Sequence, residues 1–432
     1  MQPYGVASIF SRRQELKTPI SRLLAAIFCA LATASYAGEV EVLHWWTSGG
    51  EAKSAAELRK IMQAKGHTWK DFAVAGGGGD NAMTVLKSRV VSGNPPSAAQ
   101  VKGPAIQEWA AEGVLANMDA TAKVEKWDAE LPKVVADVMK YKGSYVAVPV
   151  NVHRVNWIWA NADVLKKSGV DTMPKTWDEF FAASEKIKKA GFIPVAHGGQ
   201  NWQDFTTFES VALGVGGTKF YQDALVKLDP KALTSDTMRK SLETFRKVKA
   251  YTDPASPGRD WNLATAMVIQ GKAGFQLMGD WAKGEFLAAG KAPGKDFVCA
   301  AAPGTANAFT FNVDSFIMFK LKDAKAQAAQ SDLASTLLGN EFQETFNLNK
   351  GSIPVKLGMK MDKFDDCAKL SSKDFVETAK SGGLVPSIAH GMAVRPAAEG
   401  GIKDAVSQFW NDDKITVADA MKKIAQAAAA SN

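Results

Sequence analysis

Two adjacent tryptophans, Trp45 and Trp46, stand at the end of an apolar run, with Glu51 just beyond them. An indole face suits the C–H face of a pyranose ring, while carboxylate, amide, Lys or His groups suit the hydroxyls around its edge. The same mixture recurs along the chain. Trp281 follows Asp280, Asn312 and Asp314 alternate with Phe309, Phe311 and Val313, and His390 lies in Pro386-Ser387-Ile388-Ala389-His390-Gly391-Met392, a stretch without apolar periodicity. Each has a plainer explanation beside it. Consecutive strand residues point to opposite faces, so one of Trp45 and Trp46 is expected in the core. Trp281 could equally serve packing, and Asn312 with Asp314 could form a solvated strand edge.

Enzyme chemistry leaves little trace. The five His, at 44, 67, 153, 197 and 390, fall in no metal-ligand spacing such as HExxH, and no GxSxG elbow is present. Gly76 to Gly79 lack the following Lys-Ser/Thr of a phosphate-binding loop and read as a flexible turn. Glu51, Asp280 and Asp314 could in principle form a glycosidase pair, but a sequence does not give their separation. A non-enzymatic protein with no cofactor and no bound metal is expected.

The chain has 432 residues, 46% hydrophobic and 22% charged, with twelve Trp. That is a soluble globular composition, long enough for two or three domains, and it excludes disorder and a polytopic membrane protein. Arg12, Arg13, Lys17 and Arg22 precede an apolar run from Leu23 to Ala34, followed by Ser35-Tyr36-Ala37. The run is about half the ~20 residues of a membrane-spanning helix, so residues 1–37 read as an export signal cut after Ala37. Removing it lowers the formal net charge of +7, leaving too mild a balance to argue for nucleic acid. With Cys29 inside the signal, Cys299 and Cys367 remain, and an even pair in an oxidising compartment reads as a disulfide.

The elements that must position these residues follow a βα pattern, implying an α/β fold with a mainly parallel sheet. A strand over Val40–Trp45 leads through Gly49-Gly50 into a helix with Ala55, Leu58, Ile61 and Met62 on one face. Strands follow at Asp71–Val74 and Ala98–Val101, each succeeded by a glycine-bearing loop and a helix. Tyr145–Val150 continues through Asn151-Val152-His153-Arg154 into Val155–Trp159, a run long enough to pass from one lobe to another. Pro303-Gly304-Thr305 and Gly351-Ser352-Ile353-Pro354 are further connections, and Phe309–Phe319 reads as one strand. Thr176-Trp177-Asp178-Glu179 is a capping box.

Taken together, the exported chain, Val42-Leu43-His44-Trp45-Trp46-Thr47-Ser48-Gly49-Gly50-Glu51, Asn94-Pro95-Pro96 before Gln100-Val101-Lys102, Val148-Pro149-Val150-Asn151-Val152-His153-Arg154, Asn312-Val313-Asp314 and His390 resemble the solute-binding proteins of ABC sugar importers, most closely the periplasmic glucose-binding branch. The resemblance covers the whole mature chain. It implies a two-lobed periplasmic-binding-protein fold of type II with three hinge crossings and ligand in the interlobe cleft. Lobe one would be residues 38–150 with 305–355, and lobe two 151–304 with 356–432. It also implies that Trp45 and Trp46 stack on the sugar, that Glu51, Gln100, Lys102, Asn312 and Asp314 hold hydroxyls from lobe one, and that Trp281, His390 and His153 meet it from lobe two. The expected partners are a monosaccharide such as glucose and the membrane permease subunits of an importer, bound by a monomer in the periplasm. A maltose-like oligosaccharide binder of the same fold, or a secreted glycosidase, is the alternative.

Overall fold

The computed structural model describes Met1 and residues 37–430; apart from its end residues, the expected export signal lies outside them. The β-branched and aliphatic residues of Glu39–His44 form the second strand of a five-stranded sheet, ordered Thr68–Ala73, Glu39–His44, Ala98–Gln100, Ser315–Met318, Ala147–Pro149. Glu39–His44 runs parallel to both its neighbours, whereas Ser315–Met318 runs antiparallel to both of its own. A second sheet is ordered Phe297–Ala301, Trp157–Asn161, Ala273–Leu277, Ile193–Val195, with Trp157–Asn161 reversed against its neighbours. Each sheet packs against helices and anchors its own lobe, with separate apolar clusters around Val42, Phe316 and Phe346 and around Phe180, Phe208 and Phe275.

Both sheets are therefore mixed rather than mainly parallel. In each, the strand running against its neighbours is the one that follows directly on a strand of the layer joining the lobes. The joining layer is a four-stranded sheet ordered Ile353–Pro354, Asn151–Arg154, Phe309–Asn312, Leu384–Pro386. Its strands at 151–154 and 309–312 pair antiparallel, Phe311 opposite Arg154 and Asn312 opposite His153.

The expected single strand Phe309–Phe319 is broken at Val313-Asp314. Phe309–Asn312 belongs to the joining sheet and Ser315–Met318 to the first lobe. The break lets Asp314 leave the ladder sideways, its N–H donating to Asn151 Oδ1. Pro303-Gly304-Thr305 sits against the second lobe, where a side chain on Gly304 would strike the Gly214 carbonyl. Cys299 and Cys367 are joined, tying the strand Phe297–Ala301 to the helix Asp366–Ser381.

Candidate functional site

Between the lobes lies a cavity. Trp45, Trp46, Glu51, Lys102, His153, Trp281, Asn312, Asp314 and His390 all line it. Gln100 does not. It stands fully buried behind the wall, accepting from the Trp45 N–H at 3.3 Å and donating to Asp314 Oδ1 at 3.0 Å, so it supports the site instead of facing it.

The strand Glu39–His44 ends before the tryptophan pair, so strict face alternation no longer applies and both indoles reach the cavity. Neither is given over to the core alone, contrary to the expectation from a continuous strand. Trp46 also packs edge-on against Phe316, with ring centroids 5.4 Å apart. Its indole Nε1 is cut off from water without a hydrogen-bond partner, and so is Asn312 Oδ1. One unspent donor and one unspent acceptor thus belong to residues that line one cavity.

Asp314 is the hub of the polar floor. Its Oδ1 accepts from Gln100 and faces Lys102 Nζ at 3.4 Å; its Oδ2 accepts from His153 Nε2 at 3.0 Å and from Asn151 Nδ2 at 3.3 Å. Burial alone would raise this carboxyl, but the charges of Lys102 and His153 outweigh it and hold Asp314 well below the usual range. His153 lies between two carboxylates, its Nδ1 on Asp280 and its Nε2 on Asp314. Burial would lower His153, yet the two aspartates raise it above an ordinary imidazole. Asp280 is further held by the Arg154 N–H at 2.9 Å. Desolvation brings Lys102 below an ordinary lysine against the pull of Asp314, and its ammonium sits 5.1 Å over the Trp45 ring.

Glu51 is committed on both oxygens. Oε2 accepts from the Ser48 N–H at the start of the helix Gly49–Ala64, and Oε1 pairs with Lys350 Nζ at 2.7 Å. The carboxylates considered as a glycosidase pair are thus tied into ion pairs: Glu51 with Lys350, and Asp280 and Asp314 through His153.

Gly77, Gly78, Trp202, Trp261 and Lys350 complete the lining and were not singled out from the sequence. The four-glycine turn is part of the wall. A Cβ on Gly77 would stand 2.8 Å from Trp202 and 3.0 Å from Trp261, so only glycine lets this loop press on those indoles. The only clue was the run Gly76 to Gly79 itself. Trp202 and Trp261 each stand in the first turn of a helix, and nothing local distinguishes them from core residues.

The two lobes stand closed on each other. Glu285 of the second lobe accepts from the Gly50 N–H at 2.8 Å, setting a carboxylate on the N-terminus of a first-lobe helix. Lys403 pairs with Asp80 at 3.0 Å across the mouth. Backbone meets backbone where Gly50 faces Gly284 and where Gly103 faces Gly391.

Residues 49–341 match the family described as bacterial extracellular solute-binding protein. A "probable sugar-binding periplasmic protein" of Rhizobium meliloti (strain 1021) is 47% identical over 390 residues, covering 90% of this chain and 94% of that one. An uncharacterized ABC transporter extracellular-binding protein of Pyrococcus horikoshii is 35% identical over 397 residues, covering 89% and 88%. Among solved structures, a chitin oligosaccharide binding protein superposes with a TM-score of 0.76 at 19% identity, covering 91% of this chain and 99% of that one. The chain belongs to the bacterial extracellular solute-binding proteins, with their two-lobed fold, and it is periplasmic. No helix among the described residues is long and apolar enough to cross a membrane.

Proposed function

We propose that this protein is the sugar-capturing component of an ABC importer and that its ligand is glucose or a close monosaccharide, enclosed as the two lobes close. The relatives' names carry the coarser part, sugar binding in the periplasm for an ABC transporter. One observation supports the finer part. The cavity is walled by five indoles, and the residues lining it carry an unpaired donor and an unpaired acceptor. Trp45, Trp46 and Trp281 offer faces for the ring, while Asn312, Asp314, Lys102 and His390 meet its hydroxyls; His153, spent on Asp280 and Asp314, holds Asp314 in place beneath them. Glu51 with Lys350 closes one side, and Gln100 holds Asp314 from behind.

Bound sugar favours closure by contacting both lobes at once, and it shifts the equilibrium only by its differential affinity for the closed form. The closed monomer then docks on the permease. No catalytic step is assigned, because the carboxylates near the cavity are engaged in ion pairs.

A second reading rests on a larger neighbouring cavity that shares Trp45, Gly78, Lys102 and His390 with the first and adds Trp109 and Glu399. It offers room for a longer, maltose-like ligand. Calorimetric titration of protein freed of ligand by unfolding and refolding separates the two. Tight one-to-one binding of glucose with weak response to maltose is the expected result. Heat from maltose alone would move the function to oligosaccharide capture, and silence with both would overturn the sugar reading.

A further inference from the structure

His390 belongs to the cavity wall, yet a second-lobe helix that lines the cavity mainly through Trp202 decides what the imidazole can do there. The helix Asn201–Tyr221 turns Trp202, Thr206 and Glu209 toward the His390 loop. The Glu209 carboxylate gathers that loop, accepting from Ser387 Oγ at 2.7 Å, the Ile388 N–H at 3.0 Å and the Ala389 N–H at 3.2 Å. Ser387 Oγ in turn accepts from the His390 N–H at 3.2 Å. The ring is clamped edge-to-face by Trp281, with centroids 4.8 Å apart, and by Trp202 at 5.9 Å.

Thr206 Oγ1 has a single proton, and it points to the Trp202 carbonyl one helical turn back, at 2.8 Å. What Thr206 offers to His390 Nε2, 3.0 Å away, is therefore a lone pair, so Nε2 must carry the hydrogen. Burial, joined by the charges of Lys102 and His153, keeps this imidazole well below its ordinary pKa and hence neutral. A neutral ring with hydrogen on Nε2 has a bare Nδ1. Among the described residues no side chain or backbone group bonds that nitrogen, while His390 lines both cavities.

We propose that Thr206 is a positioning residue for ligand recognition: it holds His390 as the Nε2–H tautomer and so makes Nδ1 an acceptor for one hydroxyl of the bound sugar. The inference extends the sugar reading above, but its first half concerns the ligand-free protein and can be tested without any sugar. A hydroxyl donor is then required at one position of the ligand, and an analogue deoxygenated there loses this contact.

The experiment is nitrogen-15 NMR of the histidine side chains in ligand-free protein, with His390 assigned by the signal missing in His390→Gln. The wild type is expected to show a protonated-type Nε2 and an unprotonated-type Nδ1. Thr206→Val removes the acceptor at nearly constant volume. It should move the ring toward the Nδ1–H form and weaken glucose about tenfold, roughly one hydrogen bond's worth, while Thr206→Ser restores both. Added glucose should shift the Nδ1 resonance. A wild-type ring already in the Nδ1–H form, or a Thr206→Val protein with unchanged tautomer, overturns the proposal. So does glucose binding that leaves Nδ1 unmoved. If glucose fails to bind while the tautomer and its Thr206→Val and Thr206→Ser responses are as expected, Thr206's hold on the ring stands and the glucose reading falls.

Discussion

Gly50→Ala should strengthen the open protein and weaken its grip on ligand. Gly50 is the second residue of the helix Gly49–Ala64, in ordinary helical conformation. A methyl group there would stand 2.7 Å from the Gly284 carbonyl carbon and 2.9 Å from its oxygen, inside the distance that real Cβ atoms keep. The obstacle is backbone from the other lobe, so no side-chain rotation relieves it and the seam must part. Overpacking of this kind costs about 1–3 kcal/mol. With the lobes open the clash vanishes, and replacing Gly by Ala in a helix stabilises it by up to about 1 kcal/mol. Ligand affinity is drawn from the closed state, so a closure penalty of that size raises Kd roughly 5–150-fold. Calorimetry on wild type and variant, paired with melting of the ligand-free proteins, reads both halves. Wild-type affinity in the variant would refute the reasoning. So would weaker binding accompanied by a lower ligand-free melting temperature, which would indicate general damage instead of blocked closure.

Asp314→Ala strips the shared acceptor from buried Lys102 and His153, and sugar affinity should fall by about 3 kcal/mol or more in titration; unchanged affinity would place Asp314 outside the working site. Trp46→Phe keeps a ring but loses the unpartnered Nε1–H, and a loss of roughly 1 kcal/mol in binding is expected. Replacing Cys299 and Cys367 by Ser opens a cross-link between positions 68 residues apart. On the chain-entropy account this lowers unfolding free energy by about 4 kcal/mol, read from denaturant melts. Glu399, half-buried beside the second cavity, is pushed by desolvation from 4.5 up to about 7. The folded protein therefore holds this proton more tightly than the unfolded chain. The stability it contributes is complete below about 4.5 and is lost as pH rises through about 7. Melting temperatures measured across that window should fall less steeply in Glu399→Gln; identical slopes would contradict the assignment.

Much of the local architecture follows from the amino-acid order alone, because it depends on neighbours a few residues apart. The Thr176–Glu179 capping box forms as expected, with the Glu179 N–H donating to Thr176 Oγ1 at 3.2 Å. Alternation over Phe309–Asp314 correctly put Asn312 and Asp314 on a shared polar side. It could not show that the strand breaks between two sheets, because that depends on where the chain re-enters the first lobe. The aromatic and polar types near Trp45, Asp314 and His390 mark them as candidates for one site, and the fold brings all three to a single cavity.

Which of those groups face the cavity and which are tied to one another was decided only when distant segments met. Gln100 and Asp314, 214 positions apart, are neighbours, and that contact turns Gln100 into a support. Glu51 pairs with Lys350 across 299 positions. Trp202 and Trp261 become cavity walls because the glycine turn at 76–79 of the other lobe presses on them. Residue type and periodicity are local properties. The cleft is built where three separate crossings bring two lobes together, and only that packing leaves Trp46 Nε1 and Asn312 Oδ1 without partners.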